Sequence, residues 1–276
     1  MRLKIDKFAG LDISSAKLCL IAGPCVLEGE GQAIDIAGTV KEICGKLFIP
    51  YIFKASYLKD NRTTQASYQG PGLEKGLAIL QKVKAQAGVP VLSDVHCEHQ
   101  VEKAGKVLDV LQIPAYLSKQ TSLALACGRS GKAINIKKGQ FMSADEIAIP
   151  LDKVLSAGGK EILLTERGVT FGYKDMVLDL RNLLRLREFG YPVAADITHM
   201  VRIPGYTSTD PKGGLSAYIL PLARSAVACG CDFLFLEVHP DPQKALCDAE
   251  SVLNLNLLEQ LLQDCLEIAE IAGRRD

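Results

Sequence analysis

The sequence predicts a closed (β/α)8 TIM barrel with a short N-terminal capping segment, and three observations carry that expectation. Eight short apolar runs rich in Val, Ile and Leu recur along the chain, as buried parallel strands do. Segments of helical period fill the gaps between them. Each run ends in a polar or ionisable side chain: Cys25, Lys54, Asp94, Gln112, Lys138, Arg167, His199 and Glu237. In a β/α barrel the C-terminal strand ends gather on one face and carry the active site, so one polar residue per strand tip is the pattern of a catalytic barrel.

The strands are expected at 18–25, 51–56, 90–95, 107–113, 132–138, 161–167, 192–199 and 232–239. Between the first two, Ile34, Ala37, Val40, Ile43 and Leu47 recur at three- and four-residue steps, the stripe of an outer helix. Leu73, Leu77, Leu80 and Val83 do the same before the third strand. In the tail, 255–272, Leu258, Leu261, Leu262, Cys265, Ile268 and Ala269 share one face and predict the last outer helix. Leu3, Ile5 and Phe8 predict a short hairpin or cap under the barrel within residues 1–13. Two long polar, Gly-rich loops, 58–72 and 200–214, follow the second and seventh strands, where substrate covers sit. No linker or composition shift interrupts the chain, so residues 1–276 are expected to form one domain.

A 48% hydrophobic share with 23% charged residues supports a sizeable core. Formal net charge is zero, so no global field draws the protein to nucleic acid or an acidic membrane surface, and anion binding must be local. Nine cysteines lie without CxxC pairs and the start is charged, which leads us to expect a reducing, cytoplasmic setting. No apolar run reaches the roughly 18 residues of a membrane span.

Three constellations carry chemistry. Lys54, Lys59 and Arg62, the Lys137-Lys138 pair and Arg167 would bring cations to one barrel face, where they repel unless anions meet them. A substrate with phosphate or carboxylate groups is the natural counter-ion. Cys25, His199, Glu237 and Asp248 come from the first, seventh and eighth strands and a helix start just beyond; strands one and eight adjoin in a closed barrel. A thiolate, an imidazole and two carboxylates suit Fe(II), Zn(II) or Mn(II) better than Ca(II) or Mg(II). Taken singly, each has a plainer use: a packed core thiol for Cys25, a satisfied core histidine for His199, a helix cap for Asp248. Asp94 and His96 form a smaller cluster suited to binding sugar hydroxyls or moving protons.

The runs Ile-Ala-Gly-Pro-Cys25, Phe-Lys54-Ala-Ser56, Lys59-Asp60-Asn61-Arg62-Thr63-Thr64, Gln112-Ile-Pro-Ala, Lys138-Gly-Gln-Phe, Thr-Glu-Arg167-Gly-Val-Thr-Phe171-Gly172-Tyr173, Ile-Thr-His199 and Glu237-Val-His-Pro-Asp-Pro are collinear over nearly the whole chain. They resemble the 3-deoxy-D-manno-octulosonate 8-phosphate synthases. The resemblance implies condensation of phosphoenolpyruvate with D-arabinose 5-phosphate and water to an eight-carbon keto sugar acid phosphate that feeds lipopolysaccharide assembly, with release of phosphate, by a homotetramer. It implies that Lys54, Lys59, Lys138 and Arg167 hold phosphoenolpyruvate with Ser56 and Gln112 assisting. It assigns the pentose phosphate to Asn61, Arg62, Thr63 and Thr64, and adds Lys119 and Phe171 to the substrate-binding set. Cys25, where a metal-free branch has Asn, implies the metal-dependent branch with His199, Glu237 and Asp248 as further ligands.

Several positions depart from the pattern. Asp60 adds a carboxylate beside the expected sugar phosphate site, and Lys119 stands where the family has an Arg that reaches into a neighbouring subunit. Arg202 adds a cation after His199 that would make good the loss. The nearest rival is the related seven-carbon synthase that uses erythrose 4-phosphate; Asn61 and the Phe171-Gly172-Tyr173 run favour the eight-carbon product. A barrel that binds phosphorylated ligands without catalysis is the rival from another class.

Overall fold

The computed structural model describes residues 3–171 and 175–273, so Gly172 and Tyr173 of the quoted run lie outside it. Eight parallel strands form the barrel: β1 (Cys19–Gly23), β2 (Tyr51–Lys54), β3 (Val91–Asp94), β4 (Val110–Ile113), β5 (Ala133–Lys137), β6 (Ile162–Glu166), β7 (Val193–Asp196) and β8 (Phe233–His239). Each pairs with the next, and β8 closes the ring by pairing with both β7 and β1. A two-residue strand, Leu253–Asn254, adds to the end of β8.

Outside the ring run α1 (Glu30–Leu47), α2 (Leu73–Ala87), α3 (Glu98–Gly105), α4 (Thr121–Arg129), α5 (Ala148–Ser156), α6 (Arg181–Arg187), α7 (Ile219–Ala228) and α8 (Leu258–Gly273). The expected stripes are the buried ones: Ala37, Val40 and Ile43 on α1, Leu77, Leu80 and Val83 on α2, and Leu258, Leu261, Leu262 and Cys265 on α8. The tail helix begins three residues later than its pattern, because Leu255–Leu257 forms a 3-10 turn first. Helix α1 ends on Phe48 in the left-handed region (φ 55), 92% exposed, a conformation that costs a side-chain-bearing residue about 1–2 kcal/mol. Phe48→Gly is therefore expected to raise stability by about 1 kcal/mol; an unchanged urea midpoint would contradict it.

Because strand side chains alternate, every second residue enters the barrel. The lower interior is apolar: Ile21, Ile52, Leu92, Val110, Ala133, Leu163, Ala194, Phe233 and Phe235 pack together. The predicted cap closes this end as an antiparallel hairpin, Lys7–Phe8 with Leu11–Asp12. Phe8 is fully buried edge-on to Phe233 at 5.8 Å between ring centres, and the Ala9 amide donates to Glu161 at the start of β6.

Candidate active site

One step further along each strand the interior turns polar. Lys54, Asp94, Gln112, Asn135, Lys137, Thr165, Asp196 and Glu237 are all buried, one or more per strand from β2 to β8. Buried polar groups must be partnered, and these partner one another around the ring. Thr165 Oγ1 donates to Asn135 (2.6 Å), whose amide donates to Gln112 (3.0 Å). Lys54 Nζ sits 2.5 Å from Glu237, and Lys137 pairs with Asp196.

Above this ring opens a two-lobed cleft. The inner lobe, about 270 Å³, is lined by Lys54, Lys59, Asp94, His96, Gln112, Lys137 and Arg167 among others. The outer lobe, about 360 Å³, is lined by Arg62, Thr63, Gln140, Arg202, Ser208 and Asp248 among others. Lys59, Asn61, Arg167 and His199 border both. The two long loops meet here: Arg62 Nη1 donates to Ser208 and Thr63 Oγ1 to the Tyr206 carbonyl (3.4 Å). Several buried polar atoms on the wall have no hydrogen-bond partner among the described residues, including Asp94 Oδ1, His96 Nδ1 and Gln140 Oε1. A ligand with several polar groups would satisfy them.

The structure gathers most of the expected residues and separates others. Lys54, Lys59, Asn61, Arg62, Thr63, Asp94, Gln112, Arg167, His199 and Asp248 line the cleft. Asp60 faces it too, and Arg202 stands 3.5 Å from Asp248. Lys138 does not line it. Strand alternation turns Lys138 away while Lys137 points in; the Lys138 ammonium lies on the carbonyls of Gly139 and Met142 (3.2 and 3.1 Å) and 3.4 Å from Glu166. Ser56 is buried and lines neither lobe. Thr64 is exposed and bonded to Ser67 (3.0 Å), Lys119 is paired outward with Glu146 (2.6 Å), and Phe171 is 58% exposed on a turn. Within this chain none of those three reaches the cleft.

Two boundaries also shift. Strand β7 stops at Asp196, which caps a one-turn helix, Ile197–Met200, that carries His199. Asp248 precedes a 3-10 turn rather than a helix and sits in the left-handed region at φ 55. Sequence reasoning missed Asp196, Gln140 and Cys247. An acid three residues before a histidine at a strand end was the available signal for the first; the other two had none.

The candidate ligands form two sets that share Asp248: His199, Glu237 and Asp248, and Cys25, Cys247 and Asp248, with the donor atoms of each set within 4.8 Å of one another. Burial would raise Glu237, but His199, Lys54 and Lys59 outweigh it and hold the carboxyl well below its usual range. Burial likewise opposes ionisation of Asp248, and Arg202 overcomes it. Burial pushes His199 below its ordinary value, toward the neutral imidazole that a ligand must present. Asp196 holds His199 Nδ1 at 2.9 Å and leaves Nε2 3.7 Å from Glu237. A histidine oriented by a carboxylate and two ionised carboxylates fit a divalent ion.

Asp94 and His96 form the other electrostatic pair, with Asp94 Oδ2 3.2 Å from His96 Nε2. Burial works against both charges. The bond to His96 and the Lys59 charge hold Asp94 well below the usual carboxylate range, and Asp94 in turn lifts His96 above its ordinary value. Burial lowers Lys137, with Asp196 opposing.

A family model described as the DAHP synthetase I family matches residues 6–272. A 2-dehydro-3-deoxyphosphooctonate aldolase of Syntrophotalea carbinolica is 50% identical over 92% of this chain and 91% of the relative. One from Desulfatibacillum aliphaticivorans is 49% identical over 94% of each chain, and one from Fusobacterium nucleatum is 47% identical over 92% of this chain and 91% of the relative. Matched along nearly its whole length by that family model, the chain belongs to the DAHP synthetase I family.

Proposed function

We infer that the chain condenses phosphoenolpyruvate with D-arabinose 5-phosphate and water, giving 3-deoxy-D-manno-octulosonate 8-phosphate and inorganic phosphate. The observation that carries this is the two-lobed cleft with Lys59 and Arg167 on the wall between lobes, since two anionic reactants must lie side by side. The relatives' shared name supports the eight-carbon product over the seven-carbon alternative.

Lys54, Lys59, Lys137 and Arg167 hold the carboxylate and phosphate of phosphoenolpyruvate in the inner lobe. Arg167 offers a planar fork and the lysines point charges. Asn61, Arg62, Thr63 and Arg202 hold the sugar phosphate in the outer lobe, and Lys119, turned outward here, serves the site of a neighbouring subunit in a homotetramer. Carbon 3 of the enol attacks the open-chain aldehyde, water adds at carbon 2, and carbon-oxygen cleavage then expels phosphate. The cations stabilise charge as it shifts onto the departing phosphate. Cys25, His199, Glu237 and Asp248 would hold a divalent ion, which would supply Lewis acidity toward the aldehyde or water. Asp196 fixes the His199 tautomer, and His96 carries a proton at Nδ1 for the new hydroxyl. One barrel domain does all of this, in a reducing cytoplasm where its nine free thiols persist.

The test is phosphate release from phosphoenolpyruvate on adding a sugar phosphate. Release is expected with arabinose 5-phosphate, is lost on chelation and returns with Fe(II), Zn(II) or Mn(II). A faster reaction with erythrose 4-phosphate, or release that needs no sugar, would overturn the assignment. A pH profile checks the proton donor. Because His96 is raised and acts protonated, kcat/KM should be level below its pKa and fall about tenfold per pH unit above it. His96→Gln should remove that alkaline limb.

A further inference from the structure

Cys247 has no part in the chemistry above, yet it is fully buried against the proposed metal centre. Its Sγ, Cys25 Sγ and an Asp248 oxygen lie within 4.8 Å of one another, and Cys25 donates to Asp248 Oδ2 at 3.7 Å. Two donors on one tetrahedral zinc ion, each at about 2.3 Å, lie about 3.8 Å apart, so closing in by up to about 1 Å puts all three on one ion. Backbone conformation explains the convergence. Neighbouring residues of an extended chain point to opposite sides, but Asp248 at φ 55 and ψ 33 turns the chain so that it and Cys247 address the same point. Arg62 stands against the same pair, its Nη2 donating to Cys247 at 2.7 Å and its Nη1 3.8 Å from Asp248. A cation already meets this thiol and carboxylate.

We propose that Cys247 is a metal ligand, completing with Cys25 and Asp248 a dithiolate set that takes a thiophilic ion such as Zn(II) or Cd(II) in preference to Mn(II). The proposal rests on the reading that this centre holds a divalent ion. Soft thiolates select soft ions, whereas the set of His199, Glu237 and Asp248 offers only nitrogen and oxygen. Cys25 and Asp248 also belong to the four-residue set proposed above, so Cys247 brings a second thiolate to that centre, and Arg62 gives up Cys247 when it does.

Full-length protein stripped of metal is titrated with Co(II), and the thiolate-to-cobalt charge-transfer absorption is read directly. Cys247→Ser should lower the wild-type intensity by about half, one of two thiolates being lost, and Cys25→Ser should do the same. Cd(II) affinity of Cys247→Ser should fall at least as much as the roughly 10–100-fold that loss of an outer-shell partner costs. Mn(II) affinity should hold, which also shows the barrel intact. Full absorption in Cys247→Ser, with none in Cys25→Ser, would refute Cys247 as a ligand while leaving the metal centre standing. Equal losses for Cd(II) and Mn(II) would refute the preference, since a structural disturbance spares neither. No cobalt absorption in wild type would overturn the metal reading itself.

Discussion

Lys137→Met should lower kcat/KM for phosphoenolpyruvate by about 10²–10³-fold, the usual loss when one group that stabilises transition-state charge is removed. Its ammonium enters the inner lobe, lies 4.1 Å over the Phe235 ring and pairs with Asp196. Its loss also leaves the buried Asp196 short of a cation, so stability should fall as well, and Lys138→Met should differ in turnover. That lysine is fully buried against Glu166, whose carboxylate also accepts the Arg167 and Gly168 amides (3.1 and 2.7 Å). Removing it leaves a buried acid uncompensated, a loss of about 3–5 kcal/mol, with a smaller effect on turnover through the Arg167 turn. Steady-state kinetics and thermal melting on the two variants separate the roles. Lys138→Met that melts like wild type and cannot turn over, beside an active Lys137→Met, would reverse the assignment.

Glu237→Ala is the second large effect, and here stability and function should fall together. Glu237 is 1% exposed and meets Lys54 at 2.5 Å, His199 at 3.7 Å and Lys59 at 3.8 Å. Its loss leaves buried ammonium groups facing each other and removes a carboxylate shared by the cation cluster and the proposed metal centre. A loss of about 3–5 kcal/mol is expected, read as a fall in melting temperature of order 10 °C. Activity should vanish even when the protein is assayed well below that temperature with added Mn(II). The sign with pH follows from the depressed pKa of Glu237. Its stabilisation is present above the unfolded carboxyl's pKa and disappears as pH falls through the folded one. The acid-induced destabilisation of wild type should therefore be smaller in the variant.

The barrel was legible because its cause is local. Apolar runs such as that ending at Lys54, and stripes such as Ala37, Val40 and Ile43, reflect burial on one face of a regular element. The strand tips marked the functional end for the same reason. Orientation at the ends of those runs was less legible. Two adjacent lysines read alike in a string, but a period of two sends Lys137 inward and Lys138 outward, and only the register of β5 against β6 decides which. Thr64, Lys119 and Phe171 sit in loops, where no period constrains direction.

By itself the sequence determined the eightfold alternation of strand and helix, the hairpin that plugs the apolar end around Phe8, and a supply of cations and metal-type ligands at the opposite end. Tertiary structure alone decided the company each group keeps: Asp196 beneath His199, Glu166 beneath Lys138, and Cys247 beside Cys25 across more than two hundred residues of chain. Pairings of that kind depend on ring closure and on the left-handed turn at Asp248, and no short-range pattern of residue types encodes either.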